Sequence, residues 1–272
     1  MNALDSSAPP RIASRGAQGS RLSTFFRESW IVFNRQIRMN LRNPIWVIVG
    51  IMQPVLYLLL FSPLLEPLIE QLGGNQFNWF VPGMLVQLGI FGAMFAGFSL
   101  IGEWREGVIE AERVTPANRT ALLFGRLYRD VLQIFVQALI LVALGMVTGM
   151  RFEPIGIPVG IAITVVIGGA CAAASNAFAL QVKSEDMMAP VMNMLLMPIL
   201  LLSGIFLPMD FGPQWLQSLA DVIPTKHIVD AVRSAFEGDL SFGALAPGVA
   251  WSAVIFVLAV WWGTHVFKKE NA

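Results

Sequence analysis

The sequence predicts an all-α integral membrane protein. It has six transmembrane helices, an N-terminal amphipathic interfacial helix, and short extracellular helices between spans five and six. Three observations predict it. Only 13% of the 272 residues are charged and 56% are hydrophobic, whereas soluble domains carry about 25% charged residues. Mean hydropathy is +0.65. Six runs contain no Asp, Glu, Lys or Arg: 43–65, 71–102, 131–150, 154–182, 187–209 and 240–267. About 20 helical residues cross the ~30 Å hydrocarbon layer, and a charge at a span centre costs roughly 2.5–3.5 kcal/mol. A water-soluble bundle would need polar helix faces that such runs do not provide. A transmembrane barrel would alternate polar and apolar residues instead.

Along the chain, residues 1–20 are rich in Ser, Ala, Pro and Arg and have no apolar segment. They read as a disordered cytoplasmic tail without a signal peptide. Residues 21–43 form the interfacial helix. At about 100° per residue, Leu22, Phe26, Trp30, Phe33, Ile37 and Leu41 share one face, and Arg21, Arg27, Arg35, Arg38 and Arg42 share another. Such a helix lies along a membrane with its arginines toward lipid phosphates. Asn43-Pro44 ends it. The transmembrane domain follows over 44–267, with spans at about 44–65, 77–102, 122–149, 155–181, 187–207 and 246–267. Gly73-Gly74 turns the chain before span two. Between spans five and six, Gly212-Pro213 starts one short helix, and Thr225 N-caps a second that runs to about Glu237. Residues 268–272 are a cytoplasmic tail.

Charge distribution orients the spans. With the N-terminus inside, 15 Lys and Arg lie on the inner side, and only Arg151, Lys226 and Arg233 lie outside. The positive-inside rule therefore places both termini in the cytoplasm of a cell-membrane protein. Formal net charge is zero, from 18 basic and 18 acidic residues, so nothing favours nucleic-acid binding. Small residues crowd span four around Gly168 and Gly169. They permit close helix approach, within the bundle or between subunits.

Several chemistries lack their residues. The lysines are at 183, 226, 268 and 269, and none follows a glycine, so no phosphate-binding loop of the G-x-x-x-x-G-K-[ST] type exists. His227 and His265 are expected on opposite sides of the bilayer, so no metal is expected. Cys171 reads as a packing residue. Carriers driven by protons or voltage bury ionisable groups at mid-membrane, and the span centres here have none. No catalytic residue is assigned.

The segment 103–120 is the most polar inner stretch, with Glu103, Arg105, Glu106, Glu110, Glu112, Arg113 and Arg119, and its part 103–116 suits a docking element. Its mixed charges, Glu103, Arg105, Glu106, Glu110 and Arg113, suit specific pairing with a partner. Trp104, Val108 and Ile109 offer an apolar anchor. An ordinary solvated loop is the alternative reading.

The run Gly102-Glu103-Trp104-Arg105-Glu106-Gly107-Val108-Ile109-Glu110, with Thr115-Pro116 after it, resembles the coupling-helix region of type-2 ATP-binding-cassette (ABC) exporter permeases. Val108 stands where that family often has Thr. A second match begins Leu202-Ser203-Gly204-Ile205-Phe206-Leu207-Pro208 and continues through Pro213-x-Trp215-Leu216, Ile223-Pro224-Thr225 and Val229-Asp230-x-x-Arg233. Lys226-His227 replaces a usual aromatic there. The likeness covers about 22–267 and is nearest to daunorubicin-resistance-type drug-efflux permeases. It implies a cytoplasmic coupling helix in 103–116 and a permease subunit exporting a hydrophobic or amphipathic substrate of drug, lipid or glycan type. It implies a separate ABC ATPase subunit that holds the ATP and Mg, no cofactor in this chain, and a second permease copy in a homo- or heterodimer. Gln87, Phe91, Phe95 and Phe98 on span two, with Asn193 and Met197 on span five, become substrate-path candidates. Helix packing or lipid contact is the plainer account of each. The alternative function is a partner-independent secondary carrier or a membrane-embedded enzyme.

Overall fold

The computed structural model describes residues 21–42, 45–71, 75–114, 118–151, 153–206, 209 and 212–270. The 1–20 tail, the turns at Asn43-Pro44 and Gly73-Gly74, and the Thr115-Pro116 break lie outside them. Every regular element among the described residues is helical. In order they are α1 (Arg21–Arg42), α2 (Ile45–Gln71), α3 (Gln76–Gln87), a π-helical turn (Leu88–Gly92), α4 (Ala96–Arg105), α5 (Val108–Arg113), α6 (Arg119–Val147), α7 (Gly156–Val182), α8 (Glu185–Leu202), α9 (Gln214–Val222), α10 (Pro224–Glu237) and α11 (Phe242–Glu270). Five helical stretches are long and apolar enough to cross a membrane: Gln76–Arg105, Thr120–Val147, Gly156–Val182, Glu185–Leu202 and Phe242–Lys269. The apolar part of α2, Ile48–Leu64, is a shorter sixth. The protein is an all-α membrane protein.

Helix α1 has three faces rather than two. Phe26, Trp30 and Leu41 are exposed on the apolar face, and Arg27, Arg38 and Arg42 are exposed on the basic one. Ser29, Val32 and Gln36 form a third, buried face that packs along α6. Gly125 makes the approach possible. A Cβ there would stand 2.5 Å from Val32 Cβ and 2.8 Å from the Ser29 carbonyl oxygen.

The second apolar run is not one regular helix. It is split by the π turn and a break before α4. The π turn lies backbone to backbone against α7, since a Cβ on Gly89 would come within 2.9 Å of the Thr164 carbonyl oxygen. Bulges of this kind reset helical phase. The fifth run is helical only to Leu202, and Gly204, at φ 74°, turns the chain there. Only glycine adopts that conformation without strain.

Between α8 and α11 the chain makes the two expected short helices, with one correction. Ile223, not Thr225, is the N-cap of the second, because Pro224 occupies its first turn. The fixed φ of proline suits that position. Helix α10 is not an outlying loop. Ile228, Val229, Val232 and Phe236 are all buried, packed against α3, α7 and α11. The glycines of α7 admit it: a Cβ on Gly156 would sit 1.7 Å from the Ala235 carbonyl oxygen, and one on Gly160 would sit 2.4 Å from the Phe236 ring. The small residues at this end of α7 therefore serve packing within the chain.

The main core joins α3, α6, α7 and α10. A smaller core at the α5 end gathers Leu100, Ile101, Ile109, Leu123, Leu180, Met188 and Phe267.

Candidate functional site

The polar segment after α4 is held by a hinge and a buried ionic base. Helix α4 ends at Arg105, and Gly107, at φ 74°, turns the chain into the six-residue α5. Helical spacing then turns Ile109 and Glu112 inward and leaves Glu110, Ala111 and Val114 exposed. Ile109 joins the small core at 2% exposure.

Beneath this segment lies a set of charges. Arg126 of α6 is 1% exposed, the largest fully buried side chain among the described residues. Its Nη2 donates to Glu103 Oε2 at 2.7 Å and to Glu112 Oε2 at 2.9 Å. The other oxygen of each carboxylate is taken by α1: Gln36 Nε2 donates to Glu103 Oε1 at 2.6 Å, and Arg35 Nη2 donates to Glu112 Oε1 at 2.6 Å. Gln36 Oε1 in turn accepts from Arg129 Nη1 at 2.9 Å. Arg129 also donates to Asp130 Oδ1 at 2.6 Å and to Ser99 Oγ at 3.2 Å. Asn176 of α7 reaches Asp130 Oδ2 at 3.4 Å. Three cations (Arg35, Arg126, Arg129) thus meet three anions (Glu103, Glu112, Asp130). Charges can be buried this way only when paired and hydrogen-bonded.

The segment's predicted residues therefore divide into three groups. Glu103 and Ile109 face inward and are not available on the surface. Trp104 and Val108 are half-buried, while Arg105, Glu106 and Glu110 are exposed. Arg105 pairs with Glu185 in the first turn of α8 at 3.0 Å. The Arg113 side chain lies outside the described residues. Of this network the sequence placed Arg35 on the basic face of α1, Glu112 in the charged inner stretch and Arg129-Asp130 at the inner end of span three, gave none of them a pairing role, and did not single out Gln36 or Arg126. Arg126 counted only as an inner positive charge, although it interrupts the apolar stretch Ala121–Leu127.

The span-two candidates also divide. Phe91, Phe95 and Phe98 form a ring row: Phe91 and Phe95 lie tilted with centroids 5.0 Å apart, and Phe95 and Phe98 stack at 5.5 Å. Phe95 is 41% exposed. Gln87 does not share that exposed stripe. It is buried, because the π turn between them changes the helical phase. On α8, Asn193 and Met197 are exposed, and Asn193 Nδ2 donates to the Ala189 carbonyl. Met188 of α8 is buried where α8 meets α4, beside Gly97.

At the opposite end, Arg233 of α10 is buried against Trp79 of α3 and donates to the Gly204 carbonyl at 2.8 Å. Nearby, Lys226 pairs with Asp221 and holds its carboxyl below the usual carboxylate range. Among the described residues no cluster of His, Cys, Asp and Glu could hold a metal.

The fold defines a multi-pass helical membrane protein with a short charged helix packed at one end. The chain belongs to the ABC-2 type transporter family, whose pattern matches residues 27–236. It is 24% identical over 231 residues to daunorubicin resistance ABC transporter permease protein DrrB1 of Streptomyces coeruleorubidus, covering 84% of this chain and 82% of that one. A Cyanophora paradoxa protein that carries the name transport permease ycf38 is 26% identical over 271 residues, covering 93% and 92%. A Mycobacterium tuberculosis protein that carries the name doxorubicin resistance ABC transporter permease protein DrrC is 24% identical over 254 residues, covering 92% and 91%.

Proposed function

We propose that this chain is the permease subunit of an ATP-driven exporter. It forms the export path for a hydrophobic or amphipathic substrate of drug, lipid or glycan type, and a separate ABC ATPase subunit binds ATP and Mg and supplies the energy. Two permease copies line the path. Both termini, and with them the α5 end, face the cytoplasm, as the excess of inner Lys and Arg favours.

The observation that carries the reading is the exposed edge formed by Arg105, Glu106, Glu110 and Val114, standing on a rigid buried base. A partner can push on such an edge and find it stiff. The drug-resistance names of the relatives support an efflux role. The Phe91–Phe95–Phe98 row, with exposed Asn193 and Met197, gives apolar cargo aromatic and polarisable contacts.

The test is reconstitution of this chain with and without a separate ABC ATPase subunit. Vanadate-sensitive efflux from proteoliposomes that needs both chains supports the reading. Efflux by this chain alone, without ATP, overturns it.

A further inference from the structure

We propose that Arg126 is a positioning residue that braces the interfacial helix α1, the α4–α5 segment and the inner end of α6 into one rigid lever. The proposal rests on reading the exposed edge of α5 as the contact for the ATPase.

The geometry is that of a cross-brace. Glu103 precedes the Gly107 hinge and Glu112 follows it. One guanidinium nitrogen, Arg126 Nη2, holds both carboxylates at 2.7 and 2.9 Å. The hinge therefore cannot open or close without breaking a buried ionic hydrogen bond. Each carboxylate gives its second oxygen to α1, through Gln36 and Arg35. Every anion at the hinge is thus tied to two other elements at once. Gly125, one residue before Arg126, is the point where α1 packs directly on α6, so brace and helix contact coincide.

Stability alone does not explain the arrangement. Apolar residues of similar volume at a buried ionic site are often as stable or more so, whereas removing one partner is strongly unfavourable. What the ions add is direction. Their hydrogen bonds fix distance and angle, which apolar packing does not. A displacement of α5 is then delivered to α1, whose exposed Phe26, Trp30 and Leu41 lie on its free face, and along α6.

The experiment places spin labels at positions 38 and 111, both exposed and outside the brace, in a Cys171→Ala background. The distance is measured by pulsed EPR in the full chain in lipid nanodiscs, and again in the complex with its ATPase, nucleotide-free and vanadate-trapped. The expected result is one narrow distance that is the same in all three states. Arg126→Gln broadens it and lowers substrate-stimulated ATPase activity by about fivefold or more. Arg35→Gln is the second variant, because Arg35 is 40% exposed and its loss leaves the fold intact. It broadens the distance in the same direction. A distance that changes between the nucleotide states in the unsubstituted protein overturns the proposal, as does a narrow distance that survives both substitutions. A narrow, Arg126-dependent distance in nanodiscs with no ATPase able to bind supports the brace and instead overturns the proposed function.

Discussion

The guanidinium carbon of Arg233 lies 3.5 Å from the centroid of the Trp79 ring, while Nη2 of the same residue donates to the Gly204 carbonyl at 2.8 Å. One side chain of α10 thus joins the start of α3 to the turn that ends α8. The Asp230-x-x-Arg233 and Leu202-Ser203-Gly204 motifs, 29 residues apart at Arg233 and Gly204, meet here. Arg233→Ala removes a buried cation–π contact and a charged hydrogen bond, together roughly 3 kcal/mol. Thermal unfolding in detergent should show a clear drop in midpoint. Arg233→Lys should recover only part of it, because an ammonium cannot lie flat on the ring while reaching the carbonyl. An unchanged midpoint in the alanine variant would remove Arg233 from this role.

Gly125→Ala puts a methyl against Val32 Cβ and the Ser29 backbone. Neither can rotate away. Helix α1 should lift from α6, and limited trypsin digestion should cut faster at Arg27 and Arg38. Digestion at the native rate would show that α1 does not depend on this contact.

Gly156→Ala meets the Ala235 backbone oxygen at 1.7 Å. Displacing backbone exceeds ordinary overpacking, so the loss should be about 3 kcal/mol or more. Gly243, in α11, has nothing within 4 Å of the same methyl, and Gly243→Ala should be neutral or slightly stabilising. Detergent-extracted yield and melting midpoint should separate the two variants cleanly.

Charge reversal at Glu106 or Glu110 should lower substrate-stimulated ATP hydrolysis by the complex without changing membrane insertion, because both are exposed. Arg105→Ala breaks only a solvent-exposed pair with Glu185, so its effect on stability should stay within about 1 kcal/mol. Full stimulation after Glu106→Lys and Glu110→Lys together would exclude this edge as the contact.

Composition and the runs without charge were enough to make this an all-α membrane protein, because lipid admits no other way to carry six long uncharged stretches. The two short helices between spans five and six were also legible, since proline and glycine punctuate them locally. The charged segment after α4 was visible in the sequence, but could not be divided there into inner and outer residues. That division depends on the turn at Gly107 and on Arg126 arriving from a helix later in the sequence. Arg126 looked like one more basic residue near the membrane surface. Its burial follows from Glu103 and Glu112 meeting at one point, 9 residues apart in sequence but on opposite sides of a hinge. Gln87 lost its place on the aromatic stripe for a similar reason. The π turn lies against α7 at Gly89, a contact that no periodicity along one helix can encode. Sequence alone determined the solvent, the helices and the family, which are properties of local pattern. The tertiary structure decided which charges are surface and which are scaffold, because pairing buried charges requires partners brought together from distant parts of the chain.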